Sequence, residues 1–384
     1  MNIRMIFGAL LGAALLSPST YAGIKFQGLG DLPGGSFESA AWGVSSDGTV
    51  VVGSGYSALG SEPFPYEAFR WTSSSGMVPI GGLPGFSCST ADSASANGAV
   101  VVGYCRVAAG VRAFRWTENT GAASLGEFPF EVAETAAWAV SADGLVVGGD
   151  VGRPGLGYEL MRWTEATGIV SLGNIPGGRS GFASVHDMTP DGNVMVGVGY
   201  SAGFEAVRWT KATGVVGLGD FPGGEFQSQA QGVSEDGSVV VGSGYSASGV
   251  VPFRWTEASG MEELGHLPGT GFSGTARDVS ADGAVIVGQG HTEELGSQAF
   301  VWDKTNGMRS LQAVLADDYH LDMTGWVLLS AEGISADGLT IVGTGVNPNG
   351  DREAWVAVLP EPATLSLLVL GGLGLLARRR GASS

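Results

Sequence analysis

Charge is scarce in this 384-residue chain: Asp, Glu, Lys and Arg make up 15%, against about 25% in ordinary soluble domains. With the helix formers Glu, Lys and Arg so thinly supplied, a long-helix or coiled-coil protein is excluded. Basic residues are scarcest, 19 Lys+Arg against 37 Asp+Glu, for a formal charge of −18. Such a chain is repelled by phosphate backbones and anionic lipid, which excludes nucleic acid as a partner. Divalent cations, basic proteins and neutral polymers remain compatible.

Reactive chemistry is equally sparse. The four histidines, His186, His266, His291 and His320, show no HxxxH or HExxH spacing, so no transition-metal site is expected. No G-x-S-x-G elbow and no phosphate-cradling loop followed by Lys-Ser/Thr occurs. Gly34-Gly35 and Gly223-Gly224 follow Pro, precede no helical pattern and recur with the repeat, so they are expected as turns. No catalytic residue is assigned and no cofactor is expected. Asn347-Pro348-Asn349-Gly350-Asp351-Arg352-Glu353 has the alternating oxygens of a calcium loop without its full twelve-residue pattern, and is equally a plain turn.

Glycine is what the chain has in excess, 66 residues alongside 16 prolines, while 44% of positions are hydrophobic. Gly and Pro together stay below the roughly 25–30% of low-complexity disorder, so a packed core of short strands and tight turns is expected.

That glycine is periodic. An aromatic-Arg-Trp-Thr motif stands at Phe69-Arg70-Trp71-Thr72, Phe114-Arg115-Trp116-Thr117 and Phe253-Arg254-Trp255-Thr256. Met161-Arg162-Trp163-Thr164 and Val207-Arg208-Trp209-Thr210 differ at one position. Phe300-Val301-Trp302-Asp303 is a weaker copy, and Ala354-Trp355-Val356 a degenerate seventh with Trp355 in the Phe column. The first six tryptophans are 45, 47, 46, 46 and 47 residues apart. An Asp-Gly or Asn-Gly pair precedes each copy (Asp47-Gly48 to Asp337-Gly338), followed by an apolar run ending in Gly, such as Val50-Val51-Val52-Gly53. Leu-Gly-x-x-Pro recurs from Leu29-Gly30 to Leu264-Gly265.

Seven units of about 46 residues, each with room for four strands, predict an all-β, seven-bladed β-propeller over residues 23–359. In the fifth unit the strands fall at 229–234, 238–242, 251–256 and 260–264, with Asp236-Gly237 as the first hairpin turn. The consecutive valines of the second strand imply that both its faces are buried. Residues 24–30 match a fourth strand, and the last unit stops after its third. The amino terminus therefore supplies the strand the last blade lacks, leaving no open edge. An open β-solenoid is the competing architecture. Between units six and seven, apolar spacing at Leu311, Val314 and Leu315 predicts a short surface helix packed beside the closure.

Arg70, Arg115, Arg162, Arg208 and Arg254 are expected to be hydrogen-bonding hubs reaching a turn Asp of the same or next blade. The alternative, a ring of Arg lining the central channel, is interrupted by Val301. Trp71, Trp116, Trp163, Trp209, Trp255 and Trp302 are expected as core. Trp42 and Trp138, at equivalent first-strand positions, are expected to be structural too. A hairpin folded about residues 95–98 sets Cys88 opposite Cys105, which predicts a disulfide against the alternative of two free thiols.

The ends read as addresses. Residues 1–22 have a basic Arg4, an apolar stretch from Met5 to Leu16 and a small-residue site at Thr20-Tyr21-Ala22, the pattern of a secretory signal peptide. Pro360-Glu361-Pro362, the apolar run 363–377 and Arg378-Arg379-Arg380 form a helix breaker, a short membrane-length hydrophobic helix and a basic stop, with 381–384 as a tail. This order resembles the PEP-CTERM sorting signal of Gram-negative bacteria. The resemblance implies transient insertion in the inner membrane, recognition by an exosortase-type enzyme, and release to the cell surface or extracellular matrix. A single-pass tail anchor is the alternative. The Ala-Phe-Arg-Trp-Thr, Val-Ser-x-Asp-Gly and Leu-Gly-x-x-Pro-Gly-Gly pattern over 24–360 resembles the HAF-type probable extracellular repeat family. That resemblance implies an exported repeat protein but carries no activity. The sequence is thus read as a non-enzymatic surface or matrix protein that presents a binding face to polysaccharide or surface proteins. A carbohydrate-binding or carbohydrate-acting propeller (lectin, lyase or hydrolase) is the alternative.

Overall fold

Seven four-stranded antiparallel sheets follow one another along the chain of the computed structural model. The structure describes residues 23–360 except 62–63, 87, 108–109, 127–133, 154, 156, 179–180 and 270. The expected signal peptide, Glu361-Pro362 and the apolar and Arg segments of the sorting signal lie outside the described residues. Among those described, no helix is long and apolar enough to cross a membrane. Lys25–Leu359 form one compact unit.

Six blades use four consecutive strands each, and the seventh is a composite. Its strands Val327–Ile334, Thr340–Val346 and Arg352–Val358 are completed by Lys25–Gly28, which pairs antiparallel with Arg352–Val358. The ring therefore closes by hydrogen-bonding the first strand of the propeller to the last. The fifth blade comprises Gly223–Val233, Val240–Ser246, Gly249–Thr256 and Gly260–Glu263, so its second and third strands extend further into their hairpin than the sequence implied. Gly34-Gly35 and Gly223-Gly224, expected as turns, open the inner strands of blades 1 and 5. A Cβ on Gly35 would lie 2.6 Å from the Tyr56 backbone, so only glycine permits that approach.

The core consists of seven apolar clusters, one between each pair of neighbouring blades. Val51, Phe69 and Trp71 of blade 1 pack on Val342, Ala354 and Val356 of blade 7. Val50, Val52 and Ala68 pack on Val101 and Phe114 of blade 2. Successive residues of the second strand thus serve opposite interfaces, which explains the unbroken valines. Phe69, Phe114, Phe253, Phe300 and Trp355 are fully buried, and Trp355 takes the Phe position by pairing with Gly343 as Phe69 pairs with Gly53.

Each Asp-Gly turn uses its side chains in one way. Ser45 Oγ donates to Asp47 Oδ1 at 2.6 Å, the Thr49 amide donates to the same oxygen at 3.0 Å, and Gly48 holds φ +71°. On the channel side of these turns, backbone bonds link the blades. Ala96 N donates to Ala142 O, Ala142 N to Pro190 O, Glu235 N to Ala281 O, Ala281 N to Ala336 O, and Ala336 N to Ser46 O. Asp47 N donates to Ala96 O. The chain of bonds breaks only between blades 4 and 5, where Pro190 has no N–H to give.

The segment between blades 6 and 7 forms an α turn (Leu311–Ala313) and a π turn (Val314–Asp318). Leu311, Val314 and Leu315 are buried between the two blades, so the predicted surface helix is a plug in their interface. Gln312 fixes it, donating to Trp326 O at 2.8 Å and accepting from the Leu328 amide at 3.0 Å.

Candidate functional site: the channel mouth

Every inner strand carries a β-bulge at the same place. Its register with the second strand slips by one residue at Trp42, Asp92, Trp138, His186, Gln231, Arg277 and Glu332. A bulge leaves one residue without a partner and re-aims its side chain. Here all seven bulge residues line a single cavity of about 190 Å³ on the propeller axis. The position before it is Ala in six blades and Val185 in the fourth, while the bulge position itself holds two Trp, Asp, His, Gln, Arg and Glu.

The glycine that ends each apolar run is the counterpart of the bulge. A Cβ on Gly53, Gly103, Gly149, Gly197, Gly242, Gly288 or Gly343 would overlap an inner-strand carbonyl oxygen beside the bulge, that of Ala40 in blade 1. The signal for the ring was therefore in the sequence, as a glycine at the centre of the second strand in every repeat. The sequence reading missed it.

The predicted disulfide is not formed. The hairpin pairs Ala94 with Val101 and not with Ala99, so that even after the one-residue slip at Asp92 it is Ser89, not Cys88, that lies opposite Cys105, while Cys88 lies opposite Arg106. Both thiols are free and buried, and Cys105 Sγ accepts from the Leu83 amide at 3.2 Å. Burial pushes the Cys105 thiol up to about 11.

The Arg column faces the next blade and not the channel. Arg70 Nε donates to Gly98 O at 3.1 Å and Arg115 Nε to Gly144 O at 3.0 Å, so the acceptor is the turn glycine of the following blade, not its Asp. Arg208 Nε is buried without a partner and borders a cleft of about 740 Å³ between blades 4 and 5, the junction where Pro190 interrupts the backbone ring. Trp71 is buried, whereas Trp116, Trp163, Trp209, Trp255 and Trp302 are half-buried beside the inter-blade clusters.

Trp42 and Trp138, expected to be structural, are half-buried and also border cavities at the channel mouth. Each indole is tied back to the second strand of its blade. Trp42 Nε1 donates to Ser54 Oγ at 3.0 Å and Trp138 Nε1 to Asp150 Oδ1 at 2.5 Å. Between them, in blade 2, Asp92 presents a buried Oδ2 with no hydrogen-bond partner.

The remaining channel groups staple blades together. Asp187 Oδ2 accepts from the Val233 amide at 2.8 Å, Asp278 Oδ2 from the Ile334 amide at 2.8 Å, and His186 Nδ1 meets Ala230 O at 2.7 Å. Arg277 Nε lies 3.4 Å from Glu332 Oε2. Burial drives the Asp92 and Asp187 carboxyls well above the usual range, the charge of Asp278 adding to the effect on Asp187. Burial likewise lifts Asp278 to about 7 and Asp150 to about 6. His186 is lowered, chiefly by burial, and so is neutral at pH 7.

Among the described residues, no three His, Cys, Asp or Glu side chains cluster closely enough to hold a metal ion. In the 347–353 loop, Asn347 Oδ1 accepts from the Asn349 and Asp351 amides and its Nδ2 donates to Glu353 Oε2 at 2.9 Å. That loop's first candidate ligand is thereby used to cap its own backbone.

No family model matches the chain, and no curated protein matches it. Among solved structures, oligogalacturonate lyase from Vibrio parahaemolyticus superposes with a TM-score of 0.52 at 11% identity, covering 88% of this chain and 97% of that one. TolB from Acinetobacter baumannii gives a TM-score of 0.45 at 12% identity, covering 81% and 80% respectively. At these identities the likeness to the lyase is one of propeller fold.

Proposed function

We propose that this chain is an exported propeller that binds a ligand at its channel mouth without transforming it. We further propose that it carries a PEP-CTERM sorting signal at 360–380, on an HAF-type repeat scaffold. Export begins with the signal at 1–22, proceeds through transient membrane residence of the C-terminal segment and recognition by an exosortase-type enzyme, and ends at the cell surface or in the matrix. One observation carries the binding reading. Seven bulges at one place in the repeat gather seven side chains of six different types into one cavity, so a uniform backbone device presents a varied set of groups. Asp187 and Asp278, the carboxylates best placed for acid–base work, accept backbone amides of neighbouring blades and act as staples.

The test is a binding screen of residues 23–360 against polysaccharides and surface proteins, with and without calcium, followed by analysis of each retained polymer. Retention of an intact ligand supports the reading. New reducing ends or unsaturated products would replace it with the carbohydrate-acting alternative, and failure to retain any ligand would refute it. The sorting proposal is checked separately by the mass of the mature protein, which should end near Pro360.

A further inference from the structure

We propose that the channel mouth carries an arc-shaped subsite for a linear, neutral polysaccharide, running across blades 1 to 5. The proposal deepens the binding reading and rests on it. Three cavities of about 340, 140 and 300 Å³ share walls. The first and second meet at Tyr104 and Trp138, and the second and third at Phe182. Aromatic rings line the whole arc. Trp42 stands at one end, Tyr104 and Trp138 follow with centroids 5.2 Å apart, then Tyr158 and Phe182 at 5.4 Å, then Phe204 at 6.5 Å from Phe182. Phe182 and Phe204 are 39% and 37% exposed, so each leaves part of its ring open to the arc.

The chemistry selects the ligand. Because both indole N–H groups are held by Ser54 and Asp150, the tryptophans are fixed and leave their π-faces for stacking. The C–H face of a pyranose ring packs on such faces. Asp92, Glu38 and Glu134 lie along the same arc as Arg106 and Arg352, a mixture of acceptors and donors that suits vicinal hydroxyls. The carboxylates of Glu38 and Glu134 and the charge of −18 disfavour a polyanion, while the two guanidinium groups disfavour a simple cation. An extended peptide would be read through a free strand edge, and these cavities are bounded by side chains.

The experiment is titration of residues 23–360 with a panel of neutral hexaoses (cello-, manno-, galacto- and laminarihexaose) and their di- and tetrasaccharides. Hexagalacturonate and tetramethylammonium serve as the acidic and cationic probes. At least one neutral series should bind, with affinity rising from di- to hexasaccharide. Phe182→Ala, a surface change, should weaken the hexaose about tenfold. Trp138→Ala should do the same, and Trp138→Phe, which keeps a ring in place, should restore most of the loss in a folded protein. Failure of every neutral hexaose, preference for either charged probe, or affinity independent of chain length or of Phe182 would overturn the arc. If the broader screen then retains a surface protein or an acidic polymer intact, the binding function stands and only this site falls.

Discussion

The amide of Gly30 donates to Glu353 Oε1 at 2.9 Å across 323 residues, and the amide of Gly219 donates to Glu205 Oε1 at 3.1 Å across 14. The two contacts are the same contact. In each, a glutamate at the start of a third strand receives the glycine of the Leu-Gly turn that follows the fourth. Closure of the ring is therefore chemically indistinguishable from an ordinary step within a blade. Ser39 repeats the lesson: its Oγ donates to Gly30 O and accepts from Ala354 N, as Ser228 does with Gly219 O and Ala206 N.

Glu353→Ala should accordingly lower stability by about 1–3 kcal/mol, because it strands the Gly30 amide and Asn347 Nδ2. Glu205→Ala should cost a similar amount. Urea unfolding of both variants checks this, and an unaltered midpoint for Glu353→Ala would show that the ends do not carry the closure.

The Arg column should divide. Arg115→Ala leaves Gly144 O without its donor and should cost about 1–3 kcal/mol. Arg208→Ala removes a guanidinium whose buried Nε has no partner, strands no acceptor of that atom, and should cost less than Arg115→Ala. Equal thermal shifts for the two variants would contradict the inter-blade bonding seen here.

Both cysteines should titrate as free thiols once the protein is denatured, with no mass change on prior reduction. In the native state alkylation of Cys105 should be slow at pH 7, since its thiol is buried and its pKa stands near 11. A two-mass-unit gain on reduction would restore the disulfide.

Stability should rise as pH falls from 8 towards 5. Asp31, Asp150 and Asp278 have folded pKa values of about 6, 6 and 7, and Asp92 and Asp187 are also raised, all chiefly by burial. Between the unfolded value near 4 and these raised values the native state binds more protons, so deprotonation works against folding. Below pH 4 the trend should reverse. Asp143 and Asp191, lowered first by the hydroxyls of Ser141 and Thr189, and Asp236, lowered first by the Ser238 amide, then lose the stability they contribute as carboxylates. Asp47 behaves alike, its hydrogen bonds outweighing burial. Melting temperatures from pH 3 to 8 should show an acidic maximum, and a maximum above pH 7 would reverse the assignment.

The architecture was legible because each blade obeys the same local rules. Asp-Gly dictates a hairpin, Val-Val-Val demands cover on both faces, and residues 24–30 match a fourth strand. What escaped was the register of the first hairpin of each blade. Turn length and the one-residue slip together fix that pairing, and Cys88 and Cys105 were set in a register that the pairing of Ala94 with Val101 excludes. Trp42 and Trp138, read as structural, also border the channel because the bulge re-aims them. For Arg70 and Arg115 the partner was placed in the correct turn but on the wrong atom, since backbone acceptors are invisible in a sequence.

The bulge is the point on which the site depends, and cysteine scanning of blade 3 addresses it most directly. In a background with Cys88 and Cys105 replaced by Ser, single cysteines at 137, 138, 139 and 140 would be labelled with a small maleimide in the folded protein. Ala137, Ala139 and Val140 are 0%, 1% and 9% exposed, whereas Trp138 is half-buried against the channel cavity, which the more buried Val140 also borders. The account predicts rapid labelling at 138 only. Equal protection at all four positions, or labelling of 138 and 140 at matching rates as in a regular strand, would contradict it.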